Sequence, residues 1–219
     1  MTNPAVPYIL PFVCFLVFLS LDGKLGLPPE VEYPLRVAVL AVVLWVFSRR
    51  VIDLRVKNWV GTIGIGVLVF VLWIAPDQLI PGYRQHWLFQ NSVTGAAPAP
   101  TAGYGSLPML ALVFRTIRAT VIVPIVEELF WRGWLMRWII KPDFLSVPLG
   151  AYTAQAFWVS AALFAAEHGQ FWDVGLMAGV LYNWWMVRTK SLGDCILAHA
   201  VTNGVLSVWV LATGQWQYW

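Results

Sequence analysis

WVGTIGIGVLVFVLWIA, residues 59–75, holds seventeen positions with no charged side chain and no proline. A helix needs about 20 largely apolar residues to cross a hydrocarbon core, so this run spans or nearly spans one. Six further apolar runs lie outward from it: Tyr8 to Leu21, Leu35 to Phe47, Leu107 to Val126 with a continuation toward Ile140, Thr153 to His168, Phe171 to Val187, and Leu192 to Ala212. Charged or Pro/Gly-rich segments separate them. Several are short, which calls for tilt or for depths below the full bilayer.

Composition agrees with this pattern: 59% of residues are hydrophobic and 11% charged, which excludes a soluble domain of this size. The fourteen tryptophans stand mostly beside polar loops, as amphipathic rings do at headgroup level. Cys14 and Cys195 both lie inside apolar runs, so neither a disulfide framework nor a zinc-binding cysteine cluster is indicated. The net charge of +3 is dispersed in short loops, which speaks against nucleic-acid binding.

These observations predict an all-α fold, a polytopic transmembrane helical bundle of about seven to eight helices with the active site inside the bundle. Residues 1–219 are read as one integral membrane domain, with 1–106 as accessory spans and a long loop and 107–212 as the motif-bearing core. The first run has no basic start and no small-residue cleavage site, so it reads as a retained span. Arg49, Arg50, Arg55 and Lys57, then Arg137 and Lys141, then Arg188 and Lys190 follow even-numbered spans. By the positive-inside rule the N-terminus lies inside and the C-terminus outside. The stretch Pro76 to Ser106, with Asn91, Ser92 and Thr94, is read as an outward lid, a partner site or a connector.

Polar groups inside apolar spans are costly and are functional candidates by default. Glu127 and Glu128 follow Pro124, and residues four apart share a helix face, so Glu128 pairs with Arg132 while Glu127 turns about 100° away. Exchanging Glu128 and Arg132 is expected to keep part of their contribution. Phe164-Ala-Ala-Glu-His168 sets an imidazole one turn beyond a ring, and His199 and Asn203 again stand four apart on one face. A carboxylate and an imidazole can take a proton from water, and His199 with Asn203 can hold the negative oxygen of a tetrahedral intermediate. Cys195 shares the stripe of His199 and Asn203, but nothing nearby marks it as a nucleophile. Arg115 and Arg118, inside the fourth run, are either snorkelling or part of a shallow helix.

The ordered set Glu127-Glu128-x-x-x-Arg132, Phe164-x-x-x-His168 and His199-x-x-x-Asn203 resembles the CAAX-protease and bacteriocin-processing (ABI) family of intramembrane glutamic endopeptidases, in its bacterial prenyl-protease-related branch. The resemblance covers roughly Thr120 to Leu206. It implies that Glu127 and His168 activate water, that His199 and Asn203 form the oxyanion hole, and that Glu128, Arg132 and Phe164 support the site. It implies no cofactor and no metal, and a peptide or protein substrate, with or without a lipid, met among the lipids of a bacterial inner (plasma) membrane. Two other readings are open: a zinc metallopeptidase with Glu127, His168 and His199 as ligands, and a non-catalytic membrane scaffold or immunity protein. On the loop count Glu127 and His199 lie toward the cytoplasm and His168 near the outer end of its span. They meet only if the fifth span is short and Gly169 to Gly175 dips into the protein.

Overall fold

The computed structural model describes residues 3–21, 24–91 and 104–219. Among these residues the chain is all-helical, with seven helices in the places of the seven apolar runs. They are α1 Val6–Ser20, α2 Pro29–Ser48, α3 Trp59–Leu79, α4 Met109–Ile140, α5 Ala154–Ala166, α6 Trp172–Thr189 and α7 Leu192–Thr213. Helices α2, α3, α4 and α7 are long and apolar enough to cross a membrane, and α1 and α5 are shorter apolar helices. This is an integral membrane protein. Residues 92–103, including Ser92 and Thr94 of the long loop, lie outside the described residues.

Two helices run further than their apolar stretches. Helix α2 begins at Pro29, before Leu35, because Glu32 and Arg36 pair one turn apart and are buried together. Helix α4 is 32 residues long and contains Arg115, Arg118, Pro124 and the whole Glu127 to Arg132 motif. Its course is not a uniform α-helix. Wide π-type turns occur at Arg118–Ile122 and Leu129–Leu135, flanking the segment with the two glutamates. Pro124 has no N–H to give the preceding turn, and a widened turn is the usual accommodation.

Glycine allows the helices that carry the site to approach closely. A Cβ on Gly66 of α3 would stand 2.5 Å from the Ala198 carbonyl of α7, and one on Gly179 of α6 would stand 3.1 Å from Ala161 of α5. Small residues at such crossings let backbones touch in membranes, where little hydrophobic force draws helices together. Helix α1 packs on the second half of α4, with Phe12 stacked on Phe130 at 4.0 Å.

Polar clamps fix the two ends of the bundle. At one end the buried Asp194 accepts the backbone N–H groups of Lys57 and Asn58 at 2.8 and 2.9 Å and the Thr62 hydroxyl at 2.8 Å, tying the start of α3 to α7. At the other end Arg84 donates to Asp77, Asp173 and the Gln170 carbonyl and lies against the Phe171 ring. That links the end of α3 to the turn between α5 and α6.

Candidate active site

The Arg132 guanidinium makes the central polar junction. Its Nη1 donates to Glu128 at 3.1 Å, its Nε to the Asn183 side chain at 2.9 Å and its Nη2 to the Gly179 carbonyl at 3.2 Å. Its flat face lies over Phe164, 4.7 Å from the ring centroid. Asn183 in turn donates to the Phe157 carbonyl and to Ser160 on α5. One cation therefore joins α4, α5 and α6 with each of those contacts hydrogen-bonded, the condition for a buried charge to be tolerated. The spacing-based pairing of Glu128 with Arg132 is borne out. Asn183 and Ser160 escaped the sequence reading, although Asn183 stands inside an apolar span and meets the same test that singled out Glu127.

Glu128 has a second partner that spacing could not reveal, because it comes from α7. His199 places Nδ1 3.0 Å from Glu128 and Nε2 4.0 Å from Glu127, so the imidazole stands between the two adjacent carboxylates. The Tyr182 ring stacks on it at 5.2 Å and 23°, holding its plane. Tyr182 is itself held by its hydroxyl, 2.7 Å from Thr202, whose hydroxyl lies 2.8 Å from the Gly66 carbonyl. The reading of Glu127 as wholly without a partner is thereby corrected. It stands against His199, yet its Oε2 is buried and makes no hydrogen bond.

His168 reaches the same place from the end of α5. That helix has 13 residues, about 20 Å at 1.5 Å per residue, and is too short to cross a core of about 30 Å by itself. The short fifth span required for the motifs to meet is observed. A tight turn at Gly169–Phe171 follows, and α6 resumes at Trp172. His168 Nδ1 lies 2.7 Å from the Phe164 carbonyl. A carbonyl can only accept, so Nδ1 carries the proton and the neutral ring keeps its Nε2 lone pair available. Phe164 thus orients His168 both by its carbonyl and by its ring, 4.7 Å away.

Asn203 donates from its side-chain nitrogen to the Ala119 carbonyl at 2.9 Å, inside the first wide turn of α4. In such a turn that carbonyl would look five residues on, to Pro124, which has no N–H. Asn203 fills the gap, and its second amide hydrogen is left for another acceptor. Cys195 is buried with its sulfur 3.7 Å from the Tyr182 carbonyl and does not reach the cavity.

Glu127, His168, His199 and Asn203 line one cavity of about 350 Å³, with mostly apolar walls that include Val69, Trp73, Phe164 and Leu206. Glu167 directly precedes His168 in the chain, a place from which spacing assigns it no partner. One ligand atom from each of Glu127, Glu167 and His168 lies within 4.8 Å of the others, and Glu167 accepts a hydrogen bond from Trp131 Nε1 at 3.2 Å. Among the described residues this is the group that could hold a metal ion, in place of the set Glu127, His168 and His199.

Residues 109–205 match the family model described as Rce1-like, type II CAAX prenyl endopeptidase. All three motifs fall inside that segment, so the family resemblance read from them is borne out. No curated protein and no solved structure matches the chain.

Proposed function

We propose that this membrane protein, similar over residues 109–205 to the type II CAAX prenyl endopeptidases, is an intramembrane endopeptidase that cuts membrane-associated peptides with activated water. The observation that carries the reading is the convergence of Glu127, His168, His199 and Asn203, from α4, the end of α5 and α7, on one largely apolar cavity. Polar groups at that depth are costly, and four aimed into one space have a common use.

In this reading water lies between the Glu127 carboxylate and Nε2 of His168, and its oxygen attacks the scissile carbonyl carbon as Glu127 takes the proton. The carbonyl oxygen, now negative, is met by the remaining Asn203 N–H and by His199. His199, its Nδ1 directed at Glu128, turns Nε2 toward that oxygen; Arg132 holds the Glu128 carboxylate in place. The proton then passes to the departing amine, and the C–N bond breaks. Donors held in advance where charge develops act chiefly on the transition state.

A second reading, a metallopeptidase, is favoured by the grouping of Glu127, Glu167 and His168. The test compares cleavage of a farnesylated peptide by reconstituted wild type, Glu127→Gln and wild type after exhaustive chelation, with metal content measured on the same samples. Loss in Glu127→Gln and none on chelation supports the water mechanism. Activity that follows bound metal replaces it with the second reading. Full biological function from a cleavage-dead protein makes the chain a scaffold.

A further inference from the structure

Glu167 belongs to none of the residues that the mechanism above uses, yet the turn that ends α5 sets it among them. One ligand atom from each of Glu127, Glu167 and His168 lies within 4.8 Å of the others. Three points so spaced lie within about 2.8 Å of a common centre, the usual O–H···O separation, so one water oxygen there reaches all three side chains. Glu127 is 5% exposed, lines the cavity and has an Oε2 with no hydrogen bond. His168 keeps its Nε2 lone pair, because Nδ1 is directed at the Phe164 carbonyl. Glu167 is held from α4: the buried Trp131, four residues beyond Glu127, donates from Nε1 to Glu167 Oε1 at 3.2 Å. The Trp131 ring is fixed in turn, edge-on to Phe164 at 5.8 Å and to Phe12 of α1 at 5.5 Å.

Each group has a part in the hydrogen balance of that water, which has two hydrogens and two lone pairs. In the peptidase reading, on which this inference rests, the hydrogens go to the Glu127 carboxylate and to Nε2 of His168, and one lone pair attacks the scissile carbon. The second lone pair can only accept. Two carboxyl groups this close, beside a largely apolar cavity, hold one proton between them, since both cannot be ionised together. We propose that Glu167 is a further catalytic residue, a carboxylic acid whose O–H donates to the oxygen of the attacking water and so aims the other lone pair at the substrate. Glu127 takes one water proton and passes it to the departing amine as the C–N bond breaks. The second water hydrogen leaves with the new carboxyl group, and Glu167 keeps its own proton throughout. The water is no part of the peptide, so the contribution of Glu167 falls on kcat and leaves KM little changed. The grouping that favours the metal reading thus has an account without a metal.

The test measures kcat and KM on a farnesylated peptide for reconstituted wild type, Glu167→Gln, Glu167→Ala and Glu167→Met. All are exhaustively chelated, with metal content and melting temperature read on the same samples. Glutamine still accepts from Trp131 and offers an N–H to the water, so Glu167→Gln should keep most of the wild-type kcat, where Glu127→Gln loses it. Glu167→Ala and Glu167→Met remove the donor and should lower kcat about tenfold with KM little changed, the worth of one hydrogen bond. Methionine fills much of the space of glutamate, so Glu167→Met decides the matter if Glu167→Ala does not fold. A lowered melting temperature in Glu167→Ala and Glu167→Met with wild-type kcat per folded molecule makes Glu167 a structural partner of Trp131 and overturns the proposal. A Glu167→Gln protein as inactive as Glu127→Gln makes Glu167 a base and also overturns it. Wild-type activity that is lost on chelation and returns with zinc assigns the three groups to a metal, with the same consequence. Wild type that cuts nothing under any of these conditions removes the peptidase reading itself, whereas an active wild type with an equally active Glu167→Met removes only the part given to Glu167.

Discussion

Glu127 and Glu128 differ by one position, and the helix sends one to the cavity and the other to Arg132 and His199. Glu127→Gln keeps shape and removes a carboxylate whose Oε2 has no hydrogen bond. We expect cleavage to fall roughly 10²- to 10⁴-fold, the usual contribution of a positioned base. Its melting temperature in detergent should match wild type, and scanning calorimetry beside the cleavage assay checks both. Arg132→Gln leaves Glu128 with His199 alone and loses contacts to Asn183 and Gly179, so a loss of about 3–5 kcal/mol is expected, read as reduced folded yield and a lower melting temperature. Spacing alone suggested that exchanging Glu128 and Arg132 would keep part of the pair's contribution. The structure predicts no such rescue. A glutamate at 132 would face the Asn183 and Gly179 oxygens, both acceptors, and an arginine at 128 would face His199. An exchanged protein more stable than Arg132→Gln would contradict that arrangement.

In α4 the decisive element feature is a missing N–H. Pro124 leaves the preceding turn wide, and the freed Ala119 carbonyl is where Asn203 is tied down. Pro124→Ala returns a donor to that turn and lets the helix tighten against its own carbonyls. The variant should be as stable as wild type or more so, with kcat lowered and KM little changed, because Asn203 loses its anchor while the cavity walls remain. A kcat equal to wild type's would show that Asn203 needs no such anchor. At the α3 and α7 crossing, Gly66→Ala places a methyl group 2.5 Å from the Ala198 carbonyl. The helices must separate, at about 1–3 kcal/mol for overpacking. Val69 of α3 and Thr202 of α7 both line the cavity, so activity should fall along with thermal stability.

Across the whole molecule, the two polar clamps decide whether three helices present their groups to one space. Arg84 holds the turn after His168 against the end of α3, and Tyr83 adds a hydrogen bond to Asp173 at 2.9 Å. Burial, reinforced by that hydrogen bond, raises the Tyr83 phenol above its ordinary value of 10.0. Its contribution is therefore complete below about pH 10 and is lost as pH climbs through the raised value. The melting temperature should decline through that alkaline range, and Tyr83→Phe should flatten the decline. An identical pH profile in Tyr83→Phe would dismiss the phenol as the group responsible. The sequence by itself determined what depends on local chemistry. Apolar runs such as 59–75 require helices in lipid, since no other open structure satisfies the backbone there. Spacings of four required Glu128 beside Arg132 and His199 on the face of Asn203. Only the tertiary structure decided what depends on contacts between helices distant in sequence. It set His199 between two carboxylates of α4, brought Asn183 to Arg132, carried Glu167 beside Glu127, and turned Arg115 and Arg118 into the cavity. Those contacts depend on where glycines let helices cross and where short α5 ends, and neither crossing nor depth is encoded in any local period of the chain.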